Sequence, residues 1–142
     1  MTTIAYHHKS KKIAVDSRTT KGGSTIVSDR SVKYIKNEFG TWFLTGDFAD
    51  FEAFMSCFNK ETEQQPVTYN ASAILIHNGS AYSVYMDDGY FCKFKIEDNE
   101  CKGSGELLAL AAMDFGCSAK DAVEYAKKRD VYTGGKVRVF DV

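Results

Sequence analysis

Net charge is nearly absent from this chain. Its 142 residues carry 18 lysines and arginines against 19 aspartates and glutamates, a balance of −1. So even a balance lacks the electrostatic footprint of a protein that binds nucleic acid or an anionic membrane. No apolar run approaches the ~20 residues that span a bilayer. The first dozen residues are strand-like and end in Lys9-Ser10-Lys11-Lys12, which does not read as a signal peptide. CxxC pairs are also missing. Cys57, Cys92, Cys101 and Cys117 are scattered, which predicts reduced thiols, a cytoplasmic location and no structural metal. His7 and His8 are neighbours on a strand, point to opposite faces and cannot chelate together. There is no internal repeat, linker, low-complexity segment or nucleotide-binding loop, and no cofactor is implied.

What remains is an ordinary globular composition, 44% hydrophobic and 26% charged, of a length that suits one domain over residues 1–142. Thr3 to His8 and Ile13 to Asp16 form a hairpin pattern around a polar turn. Thr25 to Val27, Val32 to Ile35 and Trp42 to Thr45 are further short strands. At Gly46-Asp47 the period changes: Phe48, Phe51, Phe54, Met55 and Phe58 recur at helical spacing. Asp47 is placed as the N-cap or first-turn acid, and the sole proline, Pro66, closes the polar stretch that follows. Ala71 to His77 and Ala81 to Met86 flank Asn78-Gly79, a two-residue hairpin signal. Phe91 to Ile96 follows as a strand. Leu107 to Met113 and Ala119 to Lys128 read as helices, the first ended by Gly116 and the second capped by Ser118. Lys136 to Val142 is a closing strand. Strands, helix, strands, two helices, strand is an α+β order with too few βαβ crossovers for a doubly wound sheet.

Five places could carry chemistry. With Met1 removed, Thr2 would hold a hydroxyl and a free α-amine on one residue. The amine's reference pKa of about 7.7–8.0 makes it a usable base near neutrality. Asp16, in Val15-Asp16-Ser17-Arg18, ends a buried strand. Gly46 ends another, and its backbone N–H could serve an oxyanion. Ser104 lies in Gly103-Ser104-Gly105 before a helix. Asp130 and Thr133 lie in Arg129-Asp130-Val131-Tyr132-Thr133-Gly134-Gly135, after a helix. Each alone has an ordinary explanation: an edge strand, a surface ion pair, a strand–helix turn, an N-cap serine, a glycine turn.

Their order along the chain resembles the proteasome β-subunit family, including the bacterial relative HslV, and most of all its small phage-type members. The resemblance spans nearly all 142 residues. It implies an N-terminal nucleophile hydrolase fold, an αββα sandwich of two antiparallel sheets between helix layers, assembled into homo-oligomeric rings. It further implies a threonine-type endopeptidase that cleaves unfolded polypeptide, fed by a separate ATP-driven unfoldase. In that pattern Thr2 is the nucleophile and Asp16 holds the catalytic lysine. Gly46 stabilises the oxyanion, and Ser104, Asp130 and Thr133 orient the threonine and its amine. The family's Val-Lys-Lys-Val/Ile segment reads Val32-Lys33-Tyr34-Ile35 here. An ungapped match puts Tyr34 in the lysine slot; a bulge between Asp16 and Val32 restores Lys33, and Lys36 is a weaker substitute. Two other functions stay open: a catalytically silent ring subunit with an assembly or partner-binding role, which Tyr34 in the slot or a retained Met1 would favour, and a small-substrate amidase of the same fold.

Overall fold

A computed structural model describes all residues, 1–142. Eleven strands and three α-helices follow one another along the chain. The strands are β1 (Thr3–His7), β2 (Lys12–Val15), β3 (Thr19–Lys21), β4 (Thr25–Ser28), β5 (Tyr34–Asn37) and β6 (Gly40–Gly46), then, after α1 (Phe51–Ser56), β7 (Ala71–His77), β8 (Ser80–Asp87), β9 (Tyr90–Lys95) and β10 (Glu100–Gly103). Next come α2 (Glu106–Asp114), α3 (Ala119–Lys127) and β11 (Arg138–Asp141). Every strand pair is antiparallel. One sheet has the order β10-β1-β2-β11, a second the order β5-β6-β7-β8-β9, and β3-β4 is a separate ribbon.

Period-two alternation sorts the side chains into three apolar layers. On β1 and β2 the large residues Ile4, Tyr6, Ile13 and Val15 face the second sheet, where they meet Phe43 and Ile74. The intervening Ala5 and Ala14 face α2 and α3, whose Ala109, Ala122 and Ala126 sit against them. Small residues on both sides let the helices lie close to the sheet. The outer face of the second sheet gives Trp42, Leu44, Leu75 and Phe91 to Phe54 of α1 and to Phe58 in the 3-10 turn that follows it. The layers therefore run α1, five-stranded sheet, four-stranded sheet, α2 with α3. No helix is long and apolar enough to cross a membrane.

Most elements fall where the sequence put them, including the Asn78-Gly79 hairpin between β7 and β8 and the Ser118 cap, whose Oγ accepts from the Asp121 N–H at 3.1 Å. Three details differ. Asp47 makes no side-chain cap bond; residues 48–50 form a 3-10 turn, and α1 starts only at Phe51. Asp47 and Asp50 instead accept hydrogen bonds from Asn70, tying the helix entry to the start of β7. β3 and β10 were not anticipated.

The Val32 to Ile35 strand begins two residues late, at Tyr34. Tyr34 points between the sheets, its ring 5.9 Å from Phe43 and 4.8 Å from Phe140. It does not occupy a lysine position. Tyr34→Lys is therefore expected to lower stability by about 1–3 kcal/mol, because it exchanges two aromatic contacts for a charge. Urea unfolding reads the loss, and a variant as stable as the parent would contradict this packing.

Candidate active site

Thr2, just before β1, and Thr3, its first residue, divide the site between the two faces of the strand. Thr2 faces a cleft of about 970 Å³ that is also lined by Lys33, Thr45, Gly46 and Gly103. Thr3 faces the helices. The two side chains join two separate hydrogen-bonded clusters.

In the first cluster Lys33 Nζ lies 2.9 Å from Thr2 Oγ1, 2.7 Å from the Met1 carbonyl oxygen and 3.4 Å from Asp16 Oδ1, and it also donates to the Arg18 carbonyl. Lys33 directly precedes β5, so strand alternation turns it away from Tyr34 and toward Thr2. The register irregularity that accompanies this sits at Thr19/Thr20, in the β3–β4 ribbon. Lys36 is exposed and stays outside the site. Burial pushes the Lys33 ammonium below the ordinary lysine range, and Asp16 opposes that shift.

Asp16 has no exposed surface. Its Oδ1 accepts the Thr3 N–H at 3.0 Å, and its Oδ2 accepts the N–H groups of Gly134 at 3.0 Å and Arg18 at 3.2 Å. The end of β2, the start of β1 and the loop before β11 all meet on this one carboxylate.

The second cluster holds Ser104, Asp130 and Thr133. Ser104 Oγ and Thr133 Oγ1 each donate to Asp130 Oδ2 at 2.5 Å. Since Thr133 spends its proton on Asp130, the Thr3 hydroxyl donates to Thr133 Oγ1, at 2.6 Å, while accepting the Gly105 N–H at 3.0 Å. The proton order is therefore fixed from Gly105 through Thr3 and Thr133 to Asp130. None of these three side chains bonds to Thr2 directly. Their link to it is backbone: the Ser104 N–H donates to the Thr2 carbonyl at 2.9 Å. Gly103 permits this approach, since a Cβ there would lie 1.6 Å from the Thr2 oxygen at a φ of +99°. Ser104 does not cap α2; Gly105 takes the N-cap position.

Gly46 completes the cleft. Along β6 the Leu44 N–H donates to the Lys33 carbonyl on the β5 side, and the Asp47 N–H donates to Asn70 on the β7 side. Alternation then aims the Gly46 N–H to the β5 side, beyond the start of β5 and on the edge where Lys33 and Thr2 lie. In this chain Met1 precedes Thr2, so the Thr2 nitrogen is an amide. Burial and the neighbouring Lys33 hold the Met1 α-amine below its ordinary value.

Sequence reasoning missed Thr3, the Arg18 carbonyl and the Gly134 N–H. Thr3 left a signal. It is a hydroxyl on the helix-facing side of an apolar strand, where only a partner within the fold can satisfy it.

Two antiparallel sheets between helix layers make an α+β fold like that of the N-terminal nucleophile hydrolases. Comparison with known proteins agrees. No family model and no curated protein matches the sequence. Solved structures match over nearly the whole chain. Eukaryotic HslV from Trypanosoma brucei is 18% identical over 99% of this chain and 99% of that one, with a TM-score of 0.75. Thiobacillus denitrificans BPH in complex with epoxomicin is 17% identical over 99% and 97%, TM-score 0.70; BPH alone is 16% identical over 100% and 97%, TM-score 0.71. The chain has the HslV- and proteasome-like fold.

Proposed function

We propose that the chain is a threonine-type endopeptidase acting on unfolded polypeptide, with Thr2 as nucleophile once Met1 is removed. The observation that carries this reading is the contact of Lys33 Nζ with Thr2 Oγ1, 2.9 Å, in a lysine that burial drives toward its neutral form. Neutral Lys33 takes the Thr2 hydroxyl proton as Oγ1 attacks a peptide carbonyl, and the Gly46 N–H meets the oxyanion. The Thr2 α-amine relays the proton to the leaving nitrogen, leaving an ester on Thr2. Water, deprotonated by the amine, then hydrolyses that ester. Asp16 positions Lys33. Ser104, Asp130 and Thr133 position the first residues of β1 through Thr3 and the Thr2 carbonyl. A homo-oligomeric cytoplasmic ring, supplied by an ATP-driven unfoldase, is the setting this reading implies.

Turnover of an unfolded protein by the Met1-free chain, lost in Thr2→Ala with the assembly unchanged, is the test. Equal turnover by the variant would overturn the proposal. A second reading, a silent ring subunit, draws on Met1 itself: while Met1 is attached its carbonyl holds Lys33 and the nucleophile has no amine.

A pH dependence follows. Because the folded chain favours neutral Lys33, the group's contribution to stability rises with pH between its folded value and the unfolded lysine value of about 10.4. Thr2 reactivity is expected to rise with pH as well, with a midpoint below about 10.4. Adduct formation measured against pH checks this, and a rate that falls across that window would contradict it.

A further inference from the structure

The side-chain charges lining the cleft are Lys33, Asp47 and Glu106. Lys33 is committed to Thr2, Asp16 and two carbonyls. Asp47 and Glu106 are exposed, and neither is in an ion pair. Apart from Lys33 and the α-amine at the head of the chain, the charge a ligand meets is that of Asp47 and Glu106, which is negative.

Beside Asp47 stands Phe48, 84% exposed, its ring 5.8 Å from that of Phe51. An aromatic ring in water is a cost, and here it is not a loose one. The Asp47 N–H donates to the Asn70 carbonyl at 2.8 Å, the Asn70 N–H to Asp50 Oδ2 at 2.8 Å, and Asn70 Nδ2 to Asp47 Oδ2 at 3.0 Å. The turn thus holds the ring out and leaves Asp47 Oδ1 without a partner. Both residues directly follow Gly46, whose N–H meets the oxyanion in the proposed mechanism. On the peptidase reading, the residue that carries the attacked carbonyl sits in the cleft that Asp47 and Phe48 also line. A carboxylate next to an aromatic face suits a cation on an apolar stem: the head pairs with the acid and the ring, and the methylenes lie on Phe48 and Phe51. An acidic side chain there would meet the Asp47 carboxylate.

We propose that the cleft selects polypeptide segments with lysine or arginine at the residue whose carbonyl Thr2 attacks, read by Asp47 and Phe48. The register rests on the peptidase reading; the selection itself is measured without turnover. The Met1-free Thr2→Ala protein is titrated against fluorescein-labelled, otherwise uncharged peptides that differ at one position: lysine, norleucine or glutamate. Fluorescence polarisation is expected to give lysine about tenfold tighter binding than glutamate, with norleucine between and the gap narrowing in salt. Asp47→Asn keeps the Asn70 bond through its amide oxygen, and Phe48→Ala removes an exposed ring, so both should fold; each is expected to cut the lysine advantage to about threefold or less. Glutamate binding as tightly as lysine, a preference untouched by both variants, or no binding of any peptide would overturn the proposal. An unreactive Thr2 with the lysine preference intact would instead count against the peptidase reading alone.

Discussion

Asp16→Ala is expected to cost the fold about 3–5 kcal/mol, the range for stripping one partner from a buried charge pair. The carboxylate has no exposed surface and accepts the N–H groups of Thr3, Arg18 and Gly134 besides facing Lys33. Alanine leaves those donors without acceptors in a place water does not reach, and each buried orphan costs about 1–3 kcal/mol. A domain holds only about 5–15 kcal/mol in total, so the variant sits near the edge of folding. Asparagine is a poor rescue. Both carboxylate oxygens accept N–H groups, so an amide must turn its own NH₂ toward a donor. Urea unfolding of the parent, Asp16→Ala and Asp16→Asn reads the series. An alanine variant within about 1 kcal/mol of the parent would mean that the carboxylate does not tie these segments together.

The second large effect is on reactivity. Lys33→Met keeps most of the stem's volume and removes the only side-chain nitrogen that bonds to Thr2 Oγ1. If Lys33 takes the hydroxyl proton, acylation of the Met1-free chain is expected to slow by about 10²–10⁴-fold, the usual worth of a positioned general base. Lys33→Arg separates proton acceptance from charge. Guanidinium stays protonated, so it is expected to be as slow as methionine. An arginine variant that reacts at near the parent rate would reduce Lys33 to an electrostatic role, and a methionine variant within tenfold of the parent would remove it from the mechanism.

How much of this was legible in the sequence depended on whether polarity and spacing alone fixed the geometry. β1 and β2 alternate large apolar residues with small or polar ones, and β6 and β7 are short apolar runs between turn signals; those patterns placed them. β3 and β10 carry almost no apolar signal: Thr19-Thr20-Lys21 and Glu100-Cys101-Lys102-Gly103 are strands because β4 and β1 offer them a ladder. Propensity cannot show that. The Lys33 and Tyr34 ambiguity has the same origin. Val32-Lys33-Tyr34-Ile35 reads equally well in either register, and what decides it is Tyr34 wedged against Phe43 and Phe140 from strands distant in sequence. Asp47 stands at the head of the 3-10 turn, where an acid before a helical run looks like a cap, but its side chain caps nothing. Asn70, more than twenty residues later, is what claims it.

The residues Asp16, Gly46, Ser104, Asp130 and Thr133 were found as short motifs, each weak alone. The structure separates them into two groups that the motif order did not distinguish. Asp16 and Gly46 lie with Lys33 on the Thr2 side of β1, whereas Ser104, Asp130 and Thr133 hold the Thr3 side. The division follows from strand alternation at residues 2 and 3, and it became readable only once the end of β10 and the loop after α3 were seen to meet at Thr3.

The most direct test of the account is the intact mass of the purified protein, before and after incubation with a threonine-directed β-lactone. Loss of the Met1 mass plus a single adduct, absent in Thr2→Ala, is the predicted result. Retained Met1, or Met1 lost with no adduct formed, would contradict Thr2 as a nucleophile and leave the chain as a silent member of this fold.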